Sequence, residues 1–363
     1  MSAKTAITQD RLHHLRGQLD GWARELGFQQ VGVSDVDLDG ADERFRQWLA
    51  HGFHGDMDYM ARHAELRCDP PALVPDACRV ISVRMDYWPD QQQVAPEALL
   101  DMPDTAYVAR YALGRDYHKL MRKRLQHLAQ RMEREIGPFG YRALVDSAPV
   151  LEKPFAQQAG LGWIGKHTVL INREAGSWFF LGELYTDLPL PADAPASGHC
   201  GSCTACMTVC PTNAIVAPYQ LDARLCIAYL TIESHDAIPV ALRPLMGNRV
   251  FGCDDCQVYC PWNKFSHVTG EQDFQPRHGL DNASLLDLFL WDESTFLTRT
   301  EGSAIRRLGH ERWLRNLAVG LGNAPASPEI ITALRHRLTH PSALVREHVE
   351  WALDQQLDRL AAR

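Results

Sequence analysis

The chain has 363 residues, 45% of them hydrophobic and 23% charged, the balance of an ordinary globular protein with room for two or three domains. A net charge of −8 argues against a surface coated throughout for nucleic acid, and is compatible with a local basic patch. No run of about 18 apolar residues occurs, so no membrane-spanning helix is expected. The opening Met-Ser-Ala-Lys-Thr lacks the apolar core of a secretory signal.

In residues 9–26, Leu12, Leu15, Leu19, Trp22, Ala23 and Leu26 recur at helical spacing, and Gly27 ends the pattern. Residues 28–34 alternate as a strand, and helices are predicted near 41–51 and 56–63. Val80, Ile81, Val83 and Met85 mark a strand over 79–87. Pro, Gln and Asp make 88–105 a loop. A long charged helix is predicted over 116–136, closed by Gly137-Pro138, then a strand over 141–146 and a helix over 152–160. Segments 168–172 and 177–185 are expected to pair as a hairpin around Glu174-Ala175-Gly176. Residues 1–187 thus read as a mixed α/β domain rather than a βαβ series, and the whole chain as α+β. Gly160-x-Gly162-x-x-Gly165 has no preceding strand and is filled by Trp163-Ile164, so a dinucleotide turn is not expected. Its small residues would suit either a tight turn or close approach of backbone to a flat ligand.

Residues 188–265 form a cysteine-rich second domain, entered through a Pro- and Ala-rich linker at 189–197. Residues 266–283 are polar and loop-like. The stretch from Arg315 to Gly322 then echoes the one from Arg346 to Leu353, 31 residues on. That period fits HEAT-type helix pairs, here a short cap of barely two units packed on the rest of the protein. Residues 304–363 hold nine Arg against six acids, so this end is either a solvated helix face or a nucleic-acid surface. Arg306, Arg307, Arg312 and Arg315 crowd one short stretch and are the group expected to meet phosphates.

Seven of the ten cysteines fall in two runs. Cys200-x2-Cys203-x2-Cys206-x3-Cys210-Pro211 is a full bacterial-ferredoxin run, and Cys253-x2-Cys256-x3-Cys260-Pro261 is the same run with Val250 in place of its first cysteine. In two-cluster ferredoxins the cysteine before proline ligates the other run's cluster. That rule gives Cys200, Cys203, Cys206 and Cys260 to one [4Fe–4S] cluster. It leaves Cys210, Cys253 and Cys256 needing a fourth ligand from Cys68, Cys78 or Cys226, of which Cys226 is closest in sequence. Cys68 and Cys78 read as small buried hydrophobes. A zinc ribbon is not spelled this way, and disulfides would require an oxidising compartment. Reduced-thiol chemistry without an export leader points to the cytoplasm.

Clusters only move electrons, so the first domain must hold whatever consumes them. Asp146, at a predicted strand end, is the candidate: half-buried, with its pKa raised by desolvation, it would donate a proton near neutral pH. The plain alternative is a helix cap.

The segments Val145 to Lys153, Ala159 to Lys166, Gly198 to Cys206, Cys226 to Thr231 and Gly252 to Asn263, in that order, together resemble the epoxyqueuosine reductases. The resemblance covers essentially the whole chain. It implies a cobalamin-dependent, two-cluster enzyme reducing epoxyqueuosine to queuosine at the tRNA wobble position, the last step of queuosine synthesis. It implies Asp146 as proton donor to the epoxide oxygen, and Cys210, Cys226, Cys253 and Cys256 as the second ligand set. Cobalamin contacts would fall on Arg67, Ala109, Asp146, Leu170, Leu181, Ala228, Cys253 and Asp254. It further implies a cobalamin-binding first domain, a ferredoxin-like second one and a HEAT-like α-helical end at 266–363 that contacts tRNA with a queuosine-type anticodon loop. An unidentified low-potential electron donor and a monomeric state are expected. The Asp-x-His-x-x-Gly corrinoid motif is absent, so cobalt is expected without a protein His ligand. The chain departs from longer relatives at the C-terminus, where their HEAT repeats are more complete. Two other readings compete: a corrinoid reductive dehalogenase, which normally carries a twin-arginine leader, and a non-catalytic two-cluster electron carrier, which leaves Asp146 without a role.

Overall fold

The computed structural model describes residues 7–90 and 94–362; the opening five residues read above lie outside them. Among the described residues no helix is long and apolar enough to cross a membrane. The first 187 residues are organised by a four-stranded antiparallel sheet, in the order Gln30–Ser34, Arg79–Asp86, Phe179–Thr186, Tyr141–Leu144. Period-two alternation sorts its side chains to opposite faces. Val31, Val33, Ile81, Val83, Met85, Phe180 and Leu184 pack on one face against the helices Gln9–Glu25 and Tyr117–Ile136, which contribute Leu12, Leu15, Leu19, Met121, Leu125 and Leu128. The opposite face is mixed. Ser82 lies opposite Glu183 and Arg84 opposite Leu181, and all but Leu181 are buried polar groups. A sheet that buries Ser, Arg and Glu beside apolar residues is prepared for something more than a hydrocarbon core.

The predicted hairpin is re-paired. Leu170–Ile171 joins Trp163–Ile164 in a separate two-stranded ribbon, while Phe179–Thr186 goes to the interior of the main sheet. Only an Asn172–Gly176 bridge survives of the expected pairing. Asn172 explains why: its side-chain amide donates to Leu161 O (2.6 Å) and Gln30 Oε1 (3.0 Å), which fixes the turn to different neighbours. The glycines before it serve this ribbon rather than a ligand. A Cβ on Gly162 would lie 2.2 Å from Ile171 O, and one on Gly165 would lie 2.6 Å from Ile171 Cδ1.

The cysteine-rich segment is bound to its neighbours on both sides. Arg249–Phe251 pairs in parallel with Tyr107–Val108, and the Asn248 amide donates to the carbonyls of Leu99, Met102 and Thr105. Val250 and Phe251 join a core with Val108, Leu285, Phe289, Trp313, Leu317 and Val345, so one hydrophobic cluster spans all three predicted segments.

The chain ends in the helices His310–Asn323, Pro328–Arg337 and Ala343–Ala361. Here the expected basic surface is corrected. Arg315 is fully buried and donates to the carbonyls of Leu230 (2.6 Å), Ser234 (2.8 Å) and Asp236 (2.8 Å). Arg312 donates to Leu308 O and Ile232 O, and Arg306 to Leu297 O. Arg312 and Arg315 therefore satisfy orphan carbonyls at the C-terminal end of the helix Ile227–Ile232, where positive charge also meets the negative end of the dipole. Arg306 and Arg307 stay exposed, the Arg307 side chain at 58% and 3.4 Å from Asp116. Arg315→Ala is expected to cost about 2–4 kcal/mol of stability by orphaning buried carbonyls, read as a lowered denaturation midpoint. A change within about 0.5 kcal/mol, the range of surface substitutions, would contradict the clamp.

Candidate active site and cysteine centres

Asp146 sits just beyond the strand Tyr141–Leu144, which stops two residues short of it because Val145 O accepts from Ala148 N in a turn (3.0 Å). Its φ of 20° is uncommon for a non-glycine residue, and strain of this kind gathers at functional sites. The backbone N–H of Asp146 donates to Glu152 Oε1 (2.7 Å), so the first helical residue after the turn holds it in place. The side chain is 53% exposed, yet enough protein surrounds it to shift the pKa values of its neighbours. Asp146 is thus open to solvent on one side and held by His118 on the other.

The most direct contact to Asp146 comes from a residue that sequence reading passed over. His118 Nε2 lies 3.0 Å from Asp146 Oδ2, and His118 Nδ1 lies 2.5 Å from Asp116 Oδ1. Asp116 caps the helix Tyr117–Ile136 by accepting from His118 N (3.0 Å), which aims the imidazole at Asp146. Burial would depress His118, but hydrogen bonds to Asp116 and Asp146 and their charges raise it to about 9. Burial would raise Asp146, but His118, with help from Tyr117 and Arg307, holds it below the usual carboxylate range. The expected raised Asp146 pKa is thus overturned. At neutral pH the carboxylate is ionised and the proton between the pair belongs to His118. The only sequence signal was Asp116-x-His118 at a helix start, which is indistinguishable from ordinary capping.

Two carboxyls lie behind Asp146. Glu152 is raised to about 7 by burial and by the Asp146 charge. Glu183 is fully buried and raised further, by burial and then by Glu152. Neither Glu183 oxygen receives an N–H or hydroxyl donor among the described residues. Adjacent carboxyls of this kind cannot both be ionised and share a proton.

The other residues singled out fall in two sets. Arg67 is buried and donates to Val150 O (3.2 Å), on the turn that carries Asp146, while its Nε has no partner among the described residues. Leu170 and Leu181 pack together with Phe179 and Leu161 on the polar face of the sheet. In the second set, Ala109 donates its N–H to Phe251 O (2.8 Å), and a Cβ on Gly252 would lie 2.5 Å from its methyl. Asp254 accepts from Tyr107 Oη (3.0 Å) and Arg110 N (2.7 Å), and burial raises it to about 6. Ala228 lies on the helix Ile227–Ile232, whose Thr231 hydroxyl accepts from Gly252 N (2.9 Å). Tyr111 links the sets: it is half-buried, and burial first, then the charges of Asp146 and Asp254, push its hydroxyl up.

The cysteines divide in the same way. Cys200, Cys203, Cys206 and Cys260 line a cavity of about 340 Å³ together with His167, Lys166 and Trp262. Burial, then the neighbouring Cys200, Cys206 and Cys203 thiols, push Cys260 up to about 11. Lys166 pins this loop from beneath, donating to Gly201 O (2.7 Å) and Cys203 O (2.9 Å). Cys226, Cys253 and Cys256 are raised by burial first. Cys210 then acts on Cys226, Cys226 on Cys253, and Cys226 and Cys210 on Cys256. Cys206 also acts on Cys256, so the two groups adjoin. Cys68 and Cys78 are raised by burial first, and the side chains then acting on them are Arg46, Asp42, Glu65 and Arg67 for the one and Arg79, Asp187 and Asp35 for the other, none of them a cysteine; both thiols are half-buried rather than buried. No three His, Cys, Asp or Glu side chains among the described residues converge as ligands of a single ion. A four-iron cube differs, because it spaces its thiolates around a cluster.

Residues 67–147 match the family described as epoxyqueuosine reductase QueG, DUF1730, and residues 199–263 match the 4Fe-4S double cluster binding domain. The chain is 63% identical to epoxyqueuosine reductase of Pseudomonas aeruginosa over 340 residues, covering 93% of this chain and 94% of that one. It is 55% identical to the Escherichia coli enzyme over 349 residues, covering 96% and 91%. A crystal structure of epoxyqueuosine reductase with a tRNA-Tyr epoxyqueuosine-modified stem loop shares the fold, with a TM-score of 0.85 at 24% identity over 95% of this chain and 91% of that one. A two-cluster domain joined to this first domain, with such identity over nearly the full length, places the chain in the epoxyqueuosine reductase family.

Proposed function

We propose that this chain reduces epoxyqueuosine to queuosine at the wobble position of tRNA, using cobalamin fed with electrons by two [4Fe–4S] clusters. The observation that carries the reading is proximity: the strained, His-paired Asp146 and the Asp254 beside Cys253 both act on the one Tyr111 hydroxyl, which puts a proton source near a proposed cluster ligand. Family membership supplies the substrate class.

The residues fit the cofactors. Cys200, Cys203, Cys206 and Cys260 take one cluster, and Cys210, Cys226, Cys253 and Cys256 the other. Arg67 Nε and Ser82 Oγ are buried without hydrogen-bond partners among the described residues, as suits a ligand whose rim carries amide donors and acceptors. Leu170, Leu181, Ala109 and Ala228 supply apolar contact. Bound there, cobalamin supplies the low-potential chemistry at the strained ring that side chains cannot. Loss of the epoxide oxygen as water consumes two electrons and two protons. Asp146 directs the first proton to that oxygen, and His118 holds it until needed. Glu152 and Glu183 keep a further proton behind the carboxylate. A splayed anticodon loop can present one base to such a site. Arg306 and Arg307 are the exposed arginines of that stretch placed to meet its phosphates, and the three last helices form the HEAT-like cap. A monomer in the cytoplasm, served by a separate low-potential donor, completes the reading. Expression in cells that accumulate epoxyqueuosine tests it: queuosine should reappear in tRNA, and continued accumulation with the protein present would refute it.

Two further outcomes follow. His118 is engaged at both ring nitrogens, so it is not free to ligate cobalt. Electron paramagnetic resonance of the bound cob(II)alamin should show no splitting from a histidine nitrogen; splitting abolished by replacing one histidine would contradict this. Second, His118 is raised above its ordinary value of about 6.5, so the protonated pair is complete below that pH and is lost as pH rises through about 9. Turnover should decline on that basic limb, and His118→Gln should remove the limb. An unchanged profile in the variant would show that the proton lies elsewhere.

A further inference from the structure

The wall of the first cysteine cavity holds a donor with nothing to donate to. His167 is 3% exposed. Its Nδ1 accepts from the backbone N–H of Val169 (3.1 Å), and a neutral imidazole that accepts at one nitrogen carries its proton on the other. That other nitrogen, Nε2, is buried and has no hydrogen-bond partner among the described residues. The ring cannot easily turn away to find one. A Cβ on Gly165 would lie 2.9 Å from His167 Cε1, so the glycine is what admits the ring in this orientation. Thr168, in the left-handed region at φ 66°, turns the backbone so that Val169 N reaches Nδ1. His167 lines the cavity shared by Cys200, Cys203, Cys206 and Cys260. Its neighbour Lys166 fastens the same turn to the carbonyls of Gly201 and Cys203. Trp163 packs against Cys260 and Cys200 on this wall, and its buried Nε1 likewise lacks a partner.

Buried polar hydrogens are almost always paired, and one that is not calls for an explanation. We propose that His167 Nε2–H donates a hydrogen bond to the sulfur of the [4Fe–4S] cluster held by Cys200, Cys203, Cys206 and Cys260, and so sets that cluster's reduction potential above that of the same cluster without it. The physical basis is charge. One-electron reduction adds a negative charge that spreads over the sulfurs, and a fixed donor stabilises the reduced form more than the oxidised one. No bond to iron is made or broken and the proton stays on His167, so the residue tunes the centre rather than joining the reaction. The effect is expected at the first centre, whose cavity His167 lines.

The proposal rests on the two-cluster reading, and the experiment separates them. Full-length protein, reconstituted with iron and sulfide, is titrated with a mediator-buffered reductant while both clusters are followed by electron paramagnetic resonance. His167→Phe should keep the iron content and the second cluster's midpoint. The first cluster's midpoint should become more negative by roughly the equivalent of a tenfold change in the reduced-to-oxidised ratio, about 59 mV for one electron. If His167→Phe fails to assemble, wild-type protein with 15N-labelled histidine gives the second measurement. Pulsed resonance of the reduced first cluster should show a histidine 15N coupling and an exchangeable proton. A first-cluster midpoint unmoved in fully loaded His167→Phe, or no such coupling in the wild type, overturns the proposal while leaving the clusters in place. Absence of any four-iron signal from loaded wild-type protein overturns the cluster reading and this proposal together.

Discussion

Asp146→Asn should slow epoxyqueuosine reduction by about 10²–10⁴-fold, the usual worth of a positioned general acid, while cobalamin, iron content and tRNA affinity stay near wild type. An amide cannot pass a proton from His118 to the epoxide oxygen. It also removes the negative charge that supports His118 at about 9, so the variant's imidazole should titrate closer to its ordinary value. Single-turnover rates at neutral pH, with histidine proton resonances followed across pH, read both effects. A near wild-type rate would reduce Asp146 to a turn residue whose strain has no chemical use.

Cys226→Ala should abolish turnover altogether. The proposed second ligand set takes its fourth member from outside either run, and the Cys226 thiol lies within electrostatic reach of Cys210, Cys253 and Cys256. Losing it should lower iron from about eight atoms per chain to about four, with the centre of Cys200, Cys203, Cys206 and Cys260 intact. Cys68→Ala and Cys78→Ala should leave both centres, since no cysteine acts on either thiol. Eight irons retained in Cys226→Ala would refute the assignment.

These two centres differ in how much of them could be read from the chain. The cysteine runs are local: C-x2-C-x2-C puts three ligands within one turn of backbone, so spacing alone carries the chemistry. Cys226 was reached only by its proximity in sequence and by family resemblance, because the fold that brings it beside Cys210 is not local. The same division runs through the first domain. Helix Gln9–Glu25 emerged from apolar periodicity and helix Tyr117–Ile136 from a long charged stretch closed by Gly137-Pro138, each to within a residue or two. The segment Leu170–Ile171 was given the wrong partner because alternation fixes which face a residue occupies, not which strand it meets. His118 and Asp146 are 28 residues apart, on a helix start and a turn, and no sequence period links them. Electrostatics misled for a related reason. Arg315 reads as surface charge in a basic stretch, but helix His310–Asn323 turns it inward onto carbonyls contributed some 80 residues earlier. Desolvation of Asp146 was foreseeable; the imidazole that outweighs it was not.

The central claim is that a proton pair and two clusters converge on one reaction at one site. Its most direct test is anaerobic incubation of the reconstituted, cobalamin-loaded chain with a low-potential reductant and an anticodon stem-loop bearing epoxyqueuosine, followed by nucleoside digestion and mass spectrometry. The account predicts conversion of epoxyqueuosine to the nucleoside lacking one oxygen atom, dependent on cobalamin and suppressed in Asp146→Asn. Unchanged epoxyqueuosine from protein shown to hold both clusters and cobalamin would contradict it.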